Sequence, residues 1–236
     1  MRLIVTRPEP DGARTAAALR ARGHVAELVP LLRVEPDPVA ELGPGPWRAV
    51  LITSPNAARA VAAHRRKAEL VALPLFAVGR RSAQAAREAG FSEILSADGD
   101  AEDLARLVAA RAAPGPLLYL AGEDRAADLA GALAARGFAT HTAVVYRAVA
   151  LGEFPPAIVA ALAAREIDGV LHYSQRSAEA FVAAARAARL DINALSTKHY
   201  CLSAQVAGAL RRAGVADPAV APRPDEAALF GLIDPA

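Results

Sequence analysis

Thr53, Ser54 and Asn56 lie in the stretch Val50-Leu-Ile-Thr-Ser-Pro-Asn-Ala-Ala58, where a short apolar run gives way to hydroxyls, a proline and then alanines. The pattern predicts strand, tight turn and helix. Ser54 is a good N-cap and Pro55 suits the first helical turn, so the amides of Asn56 to Ala58 are expected to point beyond the strand's carboxyl end. Amides presented in this way attract anions. The plainer alternative is a capped helix with no ligand. Val170-Leu-His-Tyr-Ser-Gln-Arg-Ser-Ala178 repeats the arrangement with Ser174 at the turn, and Arg7, Arg80, Arg81, Arg125, Arg147 and Arg176 occur singly or in pairs near predicted strand ends. Such a distribution suits a small polyanion better than a nucleic-acid duplex.

The rest of the composition narrows the chemistry. The 236 residues carry 27 basic and 25 acidic side chains, a net charge of +2, with no dense basic stripe interleaved with aromatics. Nucleic acid is therefore not an expected partner. No run approaches the roughly 18 apolar residues of a spanning helix, and Leu3-Ile-Val5 is too short for a signal-peptide core, so a cytoplasmic protein with no membrane partner is expected. Cys201 is the single cysteine and stands in an apolar run, which reads as a buried thiol. His24, His64, His141, His172 and His199 lack metal-ligand spacing, and no structural zinc is expected. The dinucleotide Gly-x-Gly-x-x-Gly, the P-loop, Gly-x-Ser-x-Gly and His-Glu-x-x-His are all missing, leaving anion cradles without an evident nucleophile, metal or cofactor.

The elements that position these turns alternate. Strands are predicted at Leu3–Thr6, Val25–Val29, Ala49–Thr53, Leu75–Val78, Glu93–Leu95, Leu117–Leu120, Thr140–Val149, Gly169–Tyr173, His199–Leu202 and Ala219–Ala221. Helices are predicted at Ala13–Arg22, Asn56–His64, Ser82–Ala89, Ala101–Arg111, Ala126–Arg136, Pro155–Ala164, Ser177–Ala187 and Ala204–Ala213, with a last one from Asp225. Several close on glycine: Gly23, Gly90, Gly137 and Gly214. Strands alternating with helices of this length imply parallel sheets covered on both faces. Ala77 to Gly90 also resembles Cys201 to Gly214 in spacing and ending, so each half carries the same order of units. The first two strands find a sheet if residues 1–33 join 151–236 as one discontinuous α/β domain around an inserted domain, 36–145, with 31–35 and 144–149 as linker strands. Glu35-Pro-Asp-Pro38 is too proline-rich for a sheet interior and marks the first boundary.

Val5-Thr-Arg-Pro8, Ile52-Thr-Ser-Pro-Asn56, Val78-Gly-Arg-Arg-Ser-Ala83, Leu120-Ala-Gly-Glu-Asp-Arg125, Val144-Val-Tyr-Arg147 and Pro222-Arg-Pro-Asp-Glu226 resemble, in order and spacing, the blocks of the uroporphyrinogen-III synthase family. The resemblance covers nearly the whole chain. It implies two flavodoxin-like α/β domains joined by a two-stranded linker, with the active-site cleft between them. The implied reaction is cyclisation of hydroxymethylbilane, a linear tetrapyrrole with eight carboxylates, to uroporphyrinogen III, with inversion of ring D, loss of water and no cofactor.

On that resemblance, Tyr146 is the candidate proton donor to the leaving hydroxyl, its alternative being a packed linker residue. Arg7, Thr53, Ser54, Asn56, Gly79, Ser82, Gly122, Arg125, Ser174 and Ser203 are the candidate substrate-binding residues. The plain reading of Arg7 and Arg125 is solvated loop charge. Where the family often carries Gly followed three positions later by Thr, this chain has Ser203 and Val206, so a hydroxyl at the latter position is lost and Ser203 is expected to substitute. The expected partners are the tetrapyrrole and the upstream enzyme that produces it, and a monomer is expected because no heptad seam stands out. Two other functions remain open from the sequence: a non-catalytic two-domain hinge protein for a small polyanion, and a sugar-nucleotide transferase, which would normally be longer.

Overall fold

The computed structural model describes residues 1–124, 128–190 and 197–234. The chain divides into two compact units, Met1–Arg33 with Val149–Ala236, and Val34–Ala148.

The first unit is built on β1 (Arg2–Val5), β2 (Val25–Leu28), β9 (Gly169–His172), β10 (Lys198–Cys201) and β11 (Ala219–Val220), in the order β11-β10-β9-β1-β2. Every neighbouring pair is parallel, with Leu3 opposite Gly169 and His199 opposite Val170. Parallel strands need helical crossovers on both faces, so their residues are buried on both sides and read as apolar runs. Here α1 (Asp11–Arg20) and α10 (Glu226–Phe230) cover one face, where Leu3, Val5, Leu171 and Tyr200 meet Leu19, Leu229 and Phe230. On the opposite face, Cys201 packs with Ala178 and Val182 of α8 (Gln175–Ala187) and with Val206 and Leu210 of α9 (Ala204–Arg212). A further helix, α7 (Pro156–Ala163), leads into β9. Each fully buried leucine in these layers contributes about 1.5–3 kcal/mol of transfer free energy.

A second sheet, lying in the second unit except for the start of β3 and the end of β8, is built on β3 (Leu32–Pro36), β4 (Ala49–Ile52), β5 (Leu75–Ala77), β6 (Ile94–Ser96), β7 (Leu117–Gly122) and β8 (Thr140–Ala150), in the order β3-β8-β7-β4-β5-β6. From β8 to β6 the pairing is parallel. At the edge, Leu151 N donates to Leu31 O and Asp37 N to Val145 O, so β3 runs antiparallel to β8. Pro36 ends that edge strand, a place where its missing N–H costs no ladder bond. The two faces of the sheet take different partners. Val50, Ile52, Leu118 and Leu120 pack under the alanines of α2 (Pro55–Ala63) and α4 (Arg80–Ala89). Leu51, Phe76, Leu117 and Tyr119 pack under α5 (Ala101–Arg111) and α6 (Leu129–Ala134).

Most differences from the predicted elements are at ends. Helix α1 starts at Asp11, two residues before the predicted Ala13, and the short α3 (Lys67–Val71) had no sequence signal. Helix α6 is described from Leu129, with Asp128 capping it through its side chain, which accepts from Gly131 N at 2.9 Å; the predicted start at Ala126 lies outside the described residues. Gly90 ends α4 at φ 110°, the left-handed conformation that favours glycine.

Candidate functional site

In the second unit, the candidates gather where β7, β4 and β5 end side by side. Ser54 is the N-cap of α2, with Pro55 at the first helical position and Asn56 N donating to Ser54 Oγ at 3.2 Å. Ala57 N donates to Ser54 O at 3.2 Å. This corrects the expectation of free amides at Asn56 and Ala57: the cap that starts the helix uses them. The Asn56 side chain is also engaged, its Oδ1 accepting from Arg59 at 2.8 Å. Thr53 Oγ1 lies 2.8 Å from the hydroxyl of Tyr119, a buried residue of β7.

Tyr146 enters from β8. The ladder between β7 and β8 slips between Ala121 and Gly122, which places Gly122 opposite Tyr146, and Glu123 N donates to Tyr146 O at 3.0 Å. The Ser54 side chain lies close enough to the phenol to act on its pKa. Burial raises the Tyr146 pKa above the ordinary tyrosine value, the Ser54 side chain opposes this, and the neighbouring Tyr119 and Asp124 add to the rise. Tyr146 is therefore a protonated donor at neutral pH. Gly79 is the N-cap of α4, in extended backbone with open space where a Cβ would project. Ser82, in contrast, is buried in the α4 packing layer at 3% exposure, so its side chain is shielded from any ligand.

In the first unit, Arg7 follows β1 and is 9% exposed. Its guanidinium sits 3.4 Å from Glu226 Oε1 and 3.6 Å from Asp11 Oδ2, and lies 4.5 Å above the Tyr173 ring. The plain reading of Arg7 as a solvated loop charge is corrected: the carboxylates it meets are the protein's own. Glu226 Oε1 also accepts from Thr15 Oγ1 at 2.5 Å and from the Tyr173 hydroxyl at 2.9 Å. Burial and the Glu226 charge together raise the Tyr173 phenol well above its usual range. Ser174 caps α8 in a reciprocal box with Ser177, accepting from Ser177 N at 3.1 Å. Ser203 caps α9, its Oγ accepting from Val206 N at 3.4 Å. Arg125 lies outside the described residues.

Two elements of these clusters had no motif to announce them. Tyr119 stands between Leu118 and Leu120 as an aromatic strand residue, and its one signal is a polar tip three residues before the end of a buried strand. Glu226 lies in a block quoted from the sequence but was given no role there. Among the described residues there is no group of three or more His, Cys, Asp or Glu placed to hold a metal ion, and no helix long and apolar enough to cross a membrane.

Comparison with known proteins gives these positions a family. The HEM4 model, described as uroporphyrinogen-III synthase HemD, matches residues 13–231. The crystal structure of uroporphyrinogen-III synthetase from Helicobacter pylori 26695 is similar at a TM-score of 0.67 and 19% identity, covering 99% of this chain and 98% of that one. A mutant uroporphyrinogen III synthase from the extremely thermophilic bacterium Thermus thermophilus is similar at a TM-score of 0.53 and 20% identity, covering 99% and 98%. At these identities the structural likeness establishes the fold. Comparison with curated proteins finds no match. The family model extends over both units and nearly the full length, and on that ground the chain belongs to the uroporphyrinogen-III synthase family.

Proposed function

We infer that this chain closes hydroxymethylbilane to uroporphyrinogen III, inverting ring D and releasing water, and that Tyr146 is the proton donor. The family match over residues 13–231 supports the reaction. The observation that carries the residue assignment is the half-buried phenol of Tyr146, seated against Gly122 and kept protonated by its partial burial.

The chemistry follows from the groups. The substrate's terminal carbon loses its hydroxyl as water once a proton reaches the oxygen; the C–O bond breaks and leaves a cation on the tetrapyrrole. Tyr146 supplies that proton. The substituted alpha carbon of ring D attacks that cation and forms a new C–C bond. The bond from the same carbon to its original bridge carbon then breaks, leaving a cation there. Closure onto the free alpha carbon of the turned ring forms the last C–C bond and releases a proton, which the phenolate takes back, so the enzyme ends as it began. A positioned acid of this kind contributes about 10²–10⁴-fold. Positioning matters as much, because the linear substrate also closes without inversion when left alone. Thr53, Ser54, Asn56, Gly79, Gly122, Ser174, Ser203 and Arg125 are retained as candidate contacts for the carboxylates, and Arg7 and Ser82 as supports beneath them. A substrate that closes by itself favours an enzyme working beside the one that supplies it; a monomer in the cytoplasm completes the reading, and light scattering at the mass of a dimer would overturn the monomer.

The test is incubation with hydroxymethylbilane, followed by isomer analysis of the oxidised product. The type III isomer is expected, and a product ratio equal to that of the uncatalysed reaction would refute the reading. Tyr146→Phe keeps the ring and removes the donor, so single-turnover closure should slow by about 10²–10⁴-fold with little change in melting temperature. A variant that closes the ring at the wild-type rate would leave Tyr146 as a packing residue.

A further inference from the structure

We propose that Gly122 is a positioning residue for Tyr146, acting by leaving the space in which the phenol sits. The inference rests on Tyr146 as the proton donor.

A Cβ built on Gly122 would lie 2.6 Å from Tyr146 Cζ, 2.8 Å from its hydroxyl oxygen and 2.9 Å from Cε2. All three atoms belong to the phenol end of the ring, the end that meets Ser54. Backbone conformation does not call for glycine at this position, since Gly122 is absent from the glycines with positive φ. Space does. The ring can give way only by swinging as a whole. The ring is rigid, and the backbones are tied together by the register slip at Ala121/Gly122 and by the bond from Glu123 N to Tyr146 O. Ordinary contact between carbons begins near 3.5 Å, so an alanine would push the phenol by about 1 Å. A displacement of that size at a reacting group costs on the order of 10²-fold in rate.

A purely structural device of the same form exists in the other unit. A Cβ on Gly169 would lie 2.6 Å from the ring of Tyr200, which is 1% exposed in the core. Aromatic cover of a strand glycine can serve sheet packing alone. The two cases differ in what the ring does. The Tyr200 ring fills the core, whereas that of Tyr146 is half-buried with its hydroxyl end against Gly122.

The test compares wild type, Gly122→Ala, Tyr146→Phe and the double variant in single-turnover closure, alongside NMR of protein labelled at tyrosine Cζ. The chain has four tyrosines, so the spectrum is simple, and Tyr146→Phe assigns the signal. Gly122→Ala is expected to slow closure by about 10²-fold in the wild-type background. Its effect should be at least tenfold smaller when Tyr146 is already Phe, because the group it acts through is gone. The Tyr146 signal should move, with its titration midpoint falling toward the ordinary tyrosine value, while the other three stay in place. Additive losses, or an unmoved signal, would overturn the inference. A fully active Tyr146→Phe would refute the acid role alone; the Cζ signal of Gly122→Ala would then decide the seating, upheld if it moves and overturned if it does not. Should Gly122→Ala fail to fold, Gly122→Ala with Tyr146→Ala should fold, since the ring that clashes has been removed; continued failure would place the fault elsewhere and overturn the seating.

Discussion

His172 and His199 stand on neighbouring strands of the first unit with His172 Nε2 2.9 Å from His199 Nδ1, and both rings are buried at 0% and 1% exposure. Phe181 meets the His172 ring edge-on at 5.3 Å. The short bond requires one nitrogen to donate and the other to accept, so the two facing nitrogens share one proton. Burial first, and the neighbouring His199 second, hold His172 well below the ordinary histidine value. Its stability contribution is full above pH 6.5, where the unfolded histidine is neutral too. As pH falls below about 6.5 the unfolded chain gains a proton that the folded chain refuses, and stability is lost at about 1.4 kcal/mol per pH unit. Integrated from about pH 7 to about pH 5, one such histidine costs about 2 kcal/mol. His172→Gln keeps a hydrogen-bonding side chain and removes the titration. Urea unfolding followed by circular dichroism at both pH values should therefore show wild type losing about 2 kcal/mol more than the variant over that interval. Trp47, the single tryptophan, lies in the other unit, so its fluorescence serves as a control transition. Parallel pH dependences for the two proteins would refute a neutral buried His172.

Two further substitutions separate support from chemistry. Ser54→Ala removes the cap of α2 and the phenol's partner together, so stability should fall by about 1 kcal/mol and single-turnover closure should slow; a lower melting temperature with unchanged rate would leave Ser54 as a cap alone. Glu226→Gln removes the charge on which Arg7, Thr15 and Tyr173 converge, with an expected cost of about 1.5–3 kcal/mol in urea unfolding, and an unchanged midpoint would show that the network contributes nothing.

What the sequence made legible was local. Ser54, Ser174 and Ser203 cap helices because an N-cap bonds amides only two or three residues away, and that chemistry is visible in a short window of sequence. The parallel sheets were legible from short apolar runs, since a strand buried on both faces shows no alternation. The amides of Asn56 and Ala57 were misjudged because the same cap that advertises the turn also occupies them. Other features depended on distance along the chain. Thr53 meets Tyr119 across 66 positions, and Arg7 meets Glu226 across 219. No periodicity encodes such pairs; the sheet order brings them together. The place of Ser82 in a motif likewise said nothing of which side of α4 it occupies, and that side is the packed one.

The environments of the four tyrosines argue for Tyr146 independently of any motif. Tyr200 is 1% exposed in the core, and Tyr119 is 3% exposed with its hydroxyl against Thr53. Tyr173 is half-buried, but its hydroxyl donates to Glu226, so its proton is committed to a carboxylate that Arg7 also holds in place. Giving that proton to a ligand would leave two anionic oxygens facing each other in a partly buried site, an unfavourable product state. Tyr146 is half-buried, and the Ser54 hydroxyl that acts on its pKa can donate as well as accept. When Tyr146 loses its proton, Ser54 can turn its own hydrogen toward the phenolate and stabilise it. This matches the opposing effect of Ser54 on the Tyr146 pKa. An acid that must give up and regain one proton per turnover needs such a partner, and this difference supports assigning the proton transfer to the second unit.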